Sequence, residues 1–226
     1  MAKKASDVDV WLGRETPRIR RAFESASRYF DSNDELTVNT LEAVYGRENS
    51  FGILMGQRGS ADAAGHFQFK PKTAREYGLI VSKENDQRFD IDRASSAAAR
   101  YLKDLNTWFG ARTKLGEGLY TIPIKSVSER KEFVLGAFNA GQGSIAGAQR
   151  RAEMAGKNPQ LWNDVAKYLS LEAQQYVEKV PVDEAEFAQK SPADKNLKKK
   201  RARKGKPLCT VGHWRTIDDR PVFICA

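Results

Sequence analysis

The segment NDELTVNTLEAVYGRENSFG, residues 33–52, predicts a helix that carries an acid on its apolar face. Leu41, Val44 and Glu48 follow one another at spacings of three and four residues, so they share one side of that helix. If this side packs on the core, the carboxyl group of Glu48 emerges at the core's edge and loses part of its hydration. Loss of hydration raises the pKa of a carboxyl group. The segment therefore predicts an acid that keeps its proton near neutral pH, as general acid catalysis requires.

A glutamate near the end of a helix also has a simpler interpretation. Such a residue is commonly solvated or ion-paired, and Arg47 and Arg58 are candidate partners. The spacing alone does not choose between a catalytic and a structural Glu48. We expect Asn33 or Asp34 to cap the start of this helix.

Helical spacing of apolar residues recurs along most of the chain and indicates a mainly α fold. The helical segments are residues 16–30, 33–48, 72–79, 92–109, 128–141, 144–156, 158–169 and 170–180. Strand signals in the body are confined to HFQFK, residues 66–70, and YTIPI, residues 120–124. We therefore expect an α-rich domain with a small sheet at most.

The positive charge of the chain is concentrated at its C-terminal end. The whole sequence has 38 Lys and Arg against 29 Asp and Glu, and residues 187–226 hold 11 and 3 of them. The first 186 residues therefore hold 27 basic and 26 acidic side chains and are close to neutral. A globular nucleic-acid-binding domain normally carries its positive charge on the folded body, so this balance argues against that class. The run KNLKKKRARKGK, residues 195–206, is either a solvated linker or a contact for an anionic polymer, a membrane or nucleic acid.

Cysteine and histidine residues give no sign of a metal site. Cys209 and Cys225 lack metal-ligand spacing, and His66 and His213 stand alone, so no metal or cofactor is expected. The two cysteines are either joined as a disulfide, in an oxidising compartment, or are separate thiols. No apolar run is long enough to span a bilayer, and no signal-peptide core follows the lysines at the N-terminus.

Four sequence blocks follow one another in an order typical of one enzyme family. They are RENSFG (47–52), GSADAAGHFQFKPKTAREYGL (59–79), NDQRFDIDRASSAAARYLKDL (85–105) and LGAFNAG (135–141). In this order they resemble the soluble lytic transglycosylase domain of the goose-lysozyme-like group, over roughly residues 36–170. The resemblance implies a lysozyme-like α+β domain and an enzyme that acts on peptidoglycan.

The resemblance assigns the acid and one nearby hydroxyl. Glu48 falls on the family's catalytic glutamate, while Asn49 stands where the family usually has serine. Ser60 falls on a serine that lies near the reacting sugar, although the spacing from Glu48 is a few residues longer here. Without the resemblance, Ser60 would be interpreted as a helix cap.

The remaining predicted substrate contacts are Gln68, Asn139, Phe67 and Phe138. Gln68 and Asn139 match the family pattern, whereas Phe67 and Phe138 replace its methionine and tyrosine. Taken without the resemblance, Gln68 is the polar face of a strand, Asn139 ends a helix and the two phenylalanines belong to the core. The family tyrosine often lies close to the catalytic glutamate, so another tyrosine is needed here. The candidates are Tyr45, Tyr101 and Tyr120.

The implied reaction uses one carboxylate and peptidoglycan glycan strands as its substrate. Glu48 would cleave the β-1,4 bond between N-acetylmuramic acid and N-acetylglucosamine and form a 1,6-anhydro product. We expect a monomer that acts at the cell wall or in the periplasm. Since no signal peptide is predicted, it either reaches the wall by another route, as a protein associated with a phage or a secretion system, or the sequence is a trimmed form.

We expect four parts along the chain. Residues 1–35 form an N-terminal helical extension, and residues 36–180 form the lysozyme-like domain. Residues 181–207 form a flexible basic linker, and residues 208–226 form a short tail that resembles a hairpin.

Two other functions are compatible with this sequence. A hydrolytic lysozyme of the same fold needs an acid that positions water, with Asp86 or Asp90 as the first candidates. A weakly catalytic peptidoglycan-binding component of a phage or secretion apparatus is favoured by the departures at Phe67 and Phe138.

Overall fold

The computed structural model describes residues 5–56, 62–190, 212–217 and 220–225. The α-helices within these ranges are α1 Asp7–Leu12, α2 Pro17–Ala26, α3 Val38–Asn49, α4 Pro71–Glu76, α5 Ile91–Gly110, α6 Val127–Ala140, α7 Gln142–Met154, α8 Trp162–Val165 and α9 Leu171–Lys190. The strands are β1 Lys114–Gly116, β2 Leu119–Tyr120, β3 Gly212–Ile217 and β4 Arg220–Cys225. Over these ranges the prediction of a mainly α fold is confirmed. No described helix is long and apolar enough to cross a bilayer.

Helix α3 starts later than the sequence pattern predicts. Thr37 is its cap, because the side-chain oxygen of Thr37 accepts hydrogen bonds from the backbone N–H groups of Asn39 and Thr40. The prediction of a cap at Asn33 or Asp34 is therefore wrong. Asp34 instead accepts a hydrogen bond from the backbone N–H of Asp31, at 2.7 Å, and stabilises the preceding turn.

Helix α3 lies in the middle of the first compact unit, Met1–Ser191. Its residues from Val38 to Gly46 are buried, and it packs against α9, α2 and α5. Around it, Phe23, Tyr45, Phe51 and Phe67 form a cluster of tilted and edge-to-face rings with centroids 4.9 to 6.4 Å apart. The core is therefore built around the helix that carries Glu48.

The N-terminal helix α1 packs directly on α3 at Gly46. A β-carbon at Gly46 would lie 2.5 Å from the indole ring of Trp11, so only glycine lets the ring approach this closely. Trp11 also stacks on Phe51 and Phe187, with centroid distances of 6.0 and 6.1 Å. This contact holds α1, α3 and the C-terminal half of α9 together.

Helix α9 continues through Pro181 to Lys190, so the prediction of a linker starting at residue 181 is wrong for residues 181–190. Proline inside a helix removes one hydrogen bond, but buried side chains on the following turns offset this cost. Phe187 is fully buried, and Asp183 forms an ion pair with Arg47 at 2.5 Å. The second compact unit starts at Pro192, which lies within residues 181–207, the range predicted as the linker.

Strands contribute little to the fold. β1 and β2 pair antiparallel, with Leu119 and Tyr120 the only residues of the second strand. The stretch HFQFK forms a turn, closed by a single bridge between Ala64 and Phe69, and is not a strand. In the second unit β3 and β4 pair antiparallel, with Gly212 opposite Cys225 and Ile217 opposite Arg220.

Several predictions concern residues outside the described ranges. They are the substrate contact at Ser60, the ion pair with Arg58, the basic run at 195–206 and the pairing of Cys209 with Cys225. These remain predictions from the sequence.

Candidate active site

Glu48 lies in the last turn of α3, at the point where the helix stops. The helix ends because Ser50 and Phe51 adopt left-handed backbone angles, with φ of 54° and 55°, and Gly52 follows with φ of 93°. This abrupt end leaves Glu48 half-buried at the edge of the core. Glu48 lines a groove of about 840 Å³.

The carboxyl group of Glu48 is held by a tyrosine from α9. The hydroxyl of Tyr176 donates a hydrogen bond to Oε1 of Glu48 at 2.9 Å, and Tyr176 is only 8% exposed. Burial raises the pKa of Glu48 to about 7, the hydrogen bond from Tyr176 opposes this shift, and the charge of Glu172 adds to it. Burial and the neighbouring carboxylate also raise the pKa of Tyr176 well above its usual value, so its hydroxyl keeps its proton. Glu48 thus exchanges its proton near neutral pH.

Asn49, the next residue, fastens the end of α3 to the loop that carries Gln68. Its fully buried side chain accepts a hydrogen bond from the backbone N–H of Gly52 at 2.7 Å. Its amide nitrogen donates to the carbonyl oxygen of His66. A serine hydroxyl is shorter and has no second polar atom, so the asparagine side chain can bridge the turn at Gly52 and the loop at His66 where serine could not.

His66 contributes to the packing that holds the end of α3 in place and is not a candidate acid or base. Its Nδ1 lies 3.1 Å from the hydroxyl of Tyr45, and its ring stacks on the Tyr45 ring at 5.7 Å. Burial lowers the pKa of His66 to about 4, so the imidazole is neutral at neutral pH.

The groove brings together five of the six predicted site residues. Its walls include Glu48, Gln68, Asn139, Phe67 and Phe138. The side-chain amide of Gln68 donates to the carbonyl oxygen of Gly65 at 2.9 Å, which fixes it in the groove wall. Phe138 and Asn139 come from the last turn of α6 and are half-buried.

The two phenylalanines of the groove differ in what they offer a ligand. Phe67 is 2% exposed and packs against Phe23 and Tyr45, so its ring belongs to the core and presents no open face to a sugar. Phe138 is more exposed, and its ring tilts against Phe69 and Tyr101 with centroids 6.0 and 5.4 Å away. Of the pair, Phe138 is the aromatic surface that a ligand in the groove reaches.

The tyrosine that contacts Glu48 is none of the three that the sequence suggests. The hydroxyl of Tyr45 bonds His66, that of Tyr101 donates to Gln142 at 2.9 Å, and the ring of Tyr120 lies under Arg112. Tyr176 takes this place, and it lies in the segment SLEAQQYVEKV, outside every sequence block that resembles the family. The available signal is Glu172 four residues before Tyr176, which places an acid and a phenol on one helix face.

Glu172 is a second carboxylate in the groove, and the sequence reasoning missed it. It is exposed, lines the groove and lies one helical turn before Tyr176 on α9. The two predicted water-positioning acids lie elsewhere. Asp86 forms an ion pair with the buried Arg88 at 2.6 Å, and Asp90 caps the start of α5.

The known proteins to which this chain is similar are named as transglycosylases. Residues 32–161 match the family model described as Transglycosylase SLT domain. Membrane-bound lytic murein transglycosylase D of Escherichia coli (strain K12) is 30% identical over 120 residues, which is 53% of this chain and 22% of that protein. Membrane-bound lytic murein transglycosylase F of Shewanella loihica is 30% identical over 99 residues, which is 44% of this chain and 17% of that protein.

The chain therefore spans about a fifth of the length of these curated relatives. Tyr176 and Glu172 lie beyond the residues that the family model matches, while Glu48, Gln68 and Asn139 lie within them. Because the model covers more than half of the sequence, this chain belongs to the Transglycosylase SLT domain family.

Proposed function

We propose that this protein is a peptidoglycan lytic transglycosylase that acts at the cell wall or in the periplasm. It cleaves the β-1,4 bond between N-acetylmuramic acid and N-acetylglucosamine and leaves a 1,6-anhydro sugar. The observation that carries the proposal is the half-buried Glu48, with a pKa of about 7, held by Tyr176 in an open groove. Family membership supports the same reaction class.

The first step is proton transfer to the bridging oxygen. Because Tyr176 donates to Oε1, that oxygen acts as an acceptor and the proton of the neutral acid resides on Oε2. As the bond between C1 and the bridging oxygen breaks, its electron pair goes to that oxygen, which takes the proton from Glu48. The carbonyl oxygen of the substrate's acetamido group bonds to C1 and stabilises the developing positive charge.

The second step returns the proton to Glu48. The carboxylate, which Tyr176 now stabilises through the same hydrogen bond, removes the proton from the C6 hydroxyl group. The C6 oxygen then bonds to C1 and displaces the acetamido oxygen. No water is consumed, and Glu48 is neutral again. One carboxyl group with a pKa near the working pH serves as the acid in one step and the base in the next.

Product analysis of digested peptidoglycan tests the proposal. We expect the wild-type protein to release muropeptides whose masses are one water lower than those of hydrolysed products. Glu48→Gln should fold but release none, because an amide does not exchange the proton. Native release by that variant would refute the role of Glu48, and wall binding by the wild type without any release would indicate a binding component instead.

A hydrolytic reaction is the second candidate, and Glu172 is the observation that favours it. Among the described residues, Glu48 and Glu172 are the two carboxylates that line the groove. An ionised Glu172 that positions water would give products with the full hydrolysed mass. In that case Glu172→Gln would abolish release, whereas anhydro products from this variant exclude a water-positioning role.

A further inference from the structure

Among the described residues, two cationic side chains belong to residues that line the groove, and the proposed cleavage does not use them. Lys70 precedes the first residue of α4, and Arg151 lies near the end of α7. Both side chains are exposed, and neither forms an ion pair with a carboxylate of the described residues. Two positive charges therefore line the groove without a carboxylate partner among the described residues.

Arg151 is the better oriented of the two. Its Nη2 donates a hydrogen bond to the backbone carbonyl oxygen of Tyr168 at 2.8 Å, and its guanidinium carbon lies 6.0 Å from the centre of the Tyr168 ring. Tyr168 lines the same groove. This contact uses one of the five N–H groups of the guanidinium, so the others are available to a ligand at little further cost in side-chain entropy.

The sugars of a glycan strand that keeps its peptides carry no negative charge for a cation to bind. Their hydroxyl and acetamido groups are neutral, and the lactyl carboxyl group of muramic acid is joined to the peptide as a neutral amide, whereas the peptide itself carries free carboxylates. A guanidinium matches a carboxylate in charge and in planar geometry, and it donates two parallel hydrogen bonds to it. We infer that Arg151 binds a carboxylate of the peptide on the muramic acid, so that the groove selects glycan whose peptides carry free carboxylates over the same glycan with those carboxylates neutralised.

This inference rests on the proposed function, because it assumes that glycan strands occupy the groove. Two substrates test it: purified glycan strands with their peptides, and the same strands after carbodiimide coupling to excess methylamine has converted the peptide carboxylates into neutral amides. The measurement is kcat/KM for each with the full-length protein at low salt. Wild type should prefer the strands with free peptide carboxylates, and Arg151→Gln should lower kcat/KM on them by about five- to tenfold, the size expected for a lost charge-assisted hydrogen bond at an exposed site.

Arg150→Gln is the matched control. Arg150 is the preceding residue on the same helix, is exposed and does not line the groove, and its replacement removes the same charge. We expect this variant to keep the wild-type preference, and Arg151→Lys to keep part of it. Thermal unfolding of each variant checks that the fold is retained.

Three results would overturn the inference. One is a wild-type protein with no preference, and another is an equal loss on both substrates in Arg151→Gln. The third is a loss of preference in Arg150→Gln, which would indicate a general effect of charge. If wild type cleaves both substrates and only the preference is missing, the proposed function stands; if it cleaves neither, both conclusions are wrong.

Discussion

The hydrogen bond between Tyr176 and Glu48 leads to a prediction for the pH dependence of the reaction. Tyr176→Phe removes the hydroxyl that donates to Oε1 at 2.9 Å and keeps the buried ring. Because this hydrogen bond favours the ionised carboxylate, its loss raises the pKa of Glu48 above its present value of about 7. A hydrogen bond to a charged group contributes about 1.5–3 kcal/mol, and one pKa unit corresponds to about 1.4 kcal/mol. The expected rise is therefore about one to two pKa units.

The assay is kcat/KM for peptidoglycan cleavage measured across the pH range. In wild type the rate falls as the pH rises through about 7, because the general acid loses its proton. In Tyr176→Phe this fall should occur about one to two pH units higher. The highest rate should also drop about tenfold or more, because the carboxyl group is no longer fixed towards the substrate.

Tyr101→Phe is the control for this change. Tyr101 also lines the groove, but its hydroxyl donates to Gln142 and not to Glu48. We expect its pH profile to fall at the wild-type position, even if its rate changes. The reasoning is refuted if the profile of Tyr176→Phe does not move, or if both variants move alike.

Two further predictions concern stability. Folding raises the pKa of Glu48 from 4.5 to about 7, so the folded state binds this proton more tightly than the unfolded state does. The resulting stabilisation of the folded state is complete below about pH 4.5 and is lost as the pH rises through about 7. The free energy of unfolding of Glu48→Gln, measured with urea, should therefore exceed that of wild type by up to about 3 kcal/mol at pH 8. The difference should be smaller at pH 5, and equal differences at the two pH values would contradict this account. Gly46→Ala should lower the free energy of unfolding by about 1–2 kcal/mol, because its β-carbon would collide with Trp11. The control is Gly147→Ala on α7, where the nearest atom is 3.7 Å away, and this change should leave the stability unchanged or raise it.

The local parts of the site could be predicted from the sequence. The spacing of Leu41, Val44 and Glu48 places the acid at the end of a helix and at the edge of a core, because helical periodicity depends only on neighbouring residues. The order of the four blocks indicates the family, and the family model matches residues 32–161. The cap at Thr37 was not predicted, because Asn33 and Asp34 are equally good capping residues and only the packing of α3 decides among them.

The contribution of α9 could not be predicted in the same way. Tyr176 and Glu48 are 128 residues apart in the sequence. No local sequence pattern shows which tyrosine will form the hydrogen bond to Glu48. Pro181 is a strong signal for a helix end, yet the contacts of Asp183 and Phe187 with α1 and α3 outweigh it. Both errors have one cause, which is that tertiary packing decides where local propensity is weak or misleading.

The partners of Arg47 explain why its neighbour Glu48 remains a usable acid. A guanidinium paired with Glu48 would stabilise the carboxylate and lower its pKa, so the residue could not hold a proton at neutral pH. The structure directs Arg47 to the two carboxylates of Asp183 and Asp7, at 2.5 and 3.2 Å, and over the ring of Trp11. Glu48 is left to a neutral donor, Tyr176, which fixes the direction of its carboxyl group but lowers its pKa less than burial raises it. Since Asp183 and Tyr176 lie on the same helix, the packing of α9 both removes the cation from Glu48 and supplies the hydroxyl that replaces it.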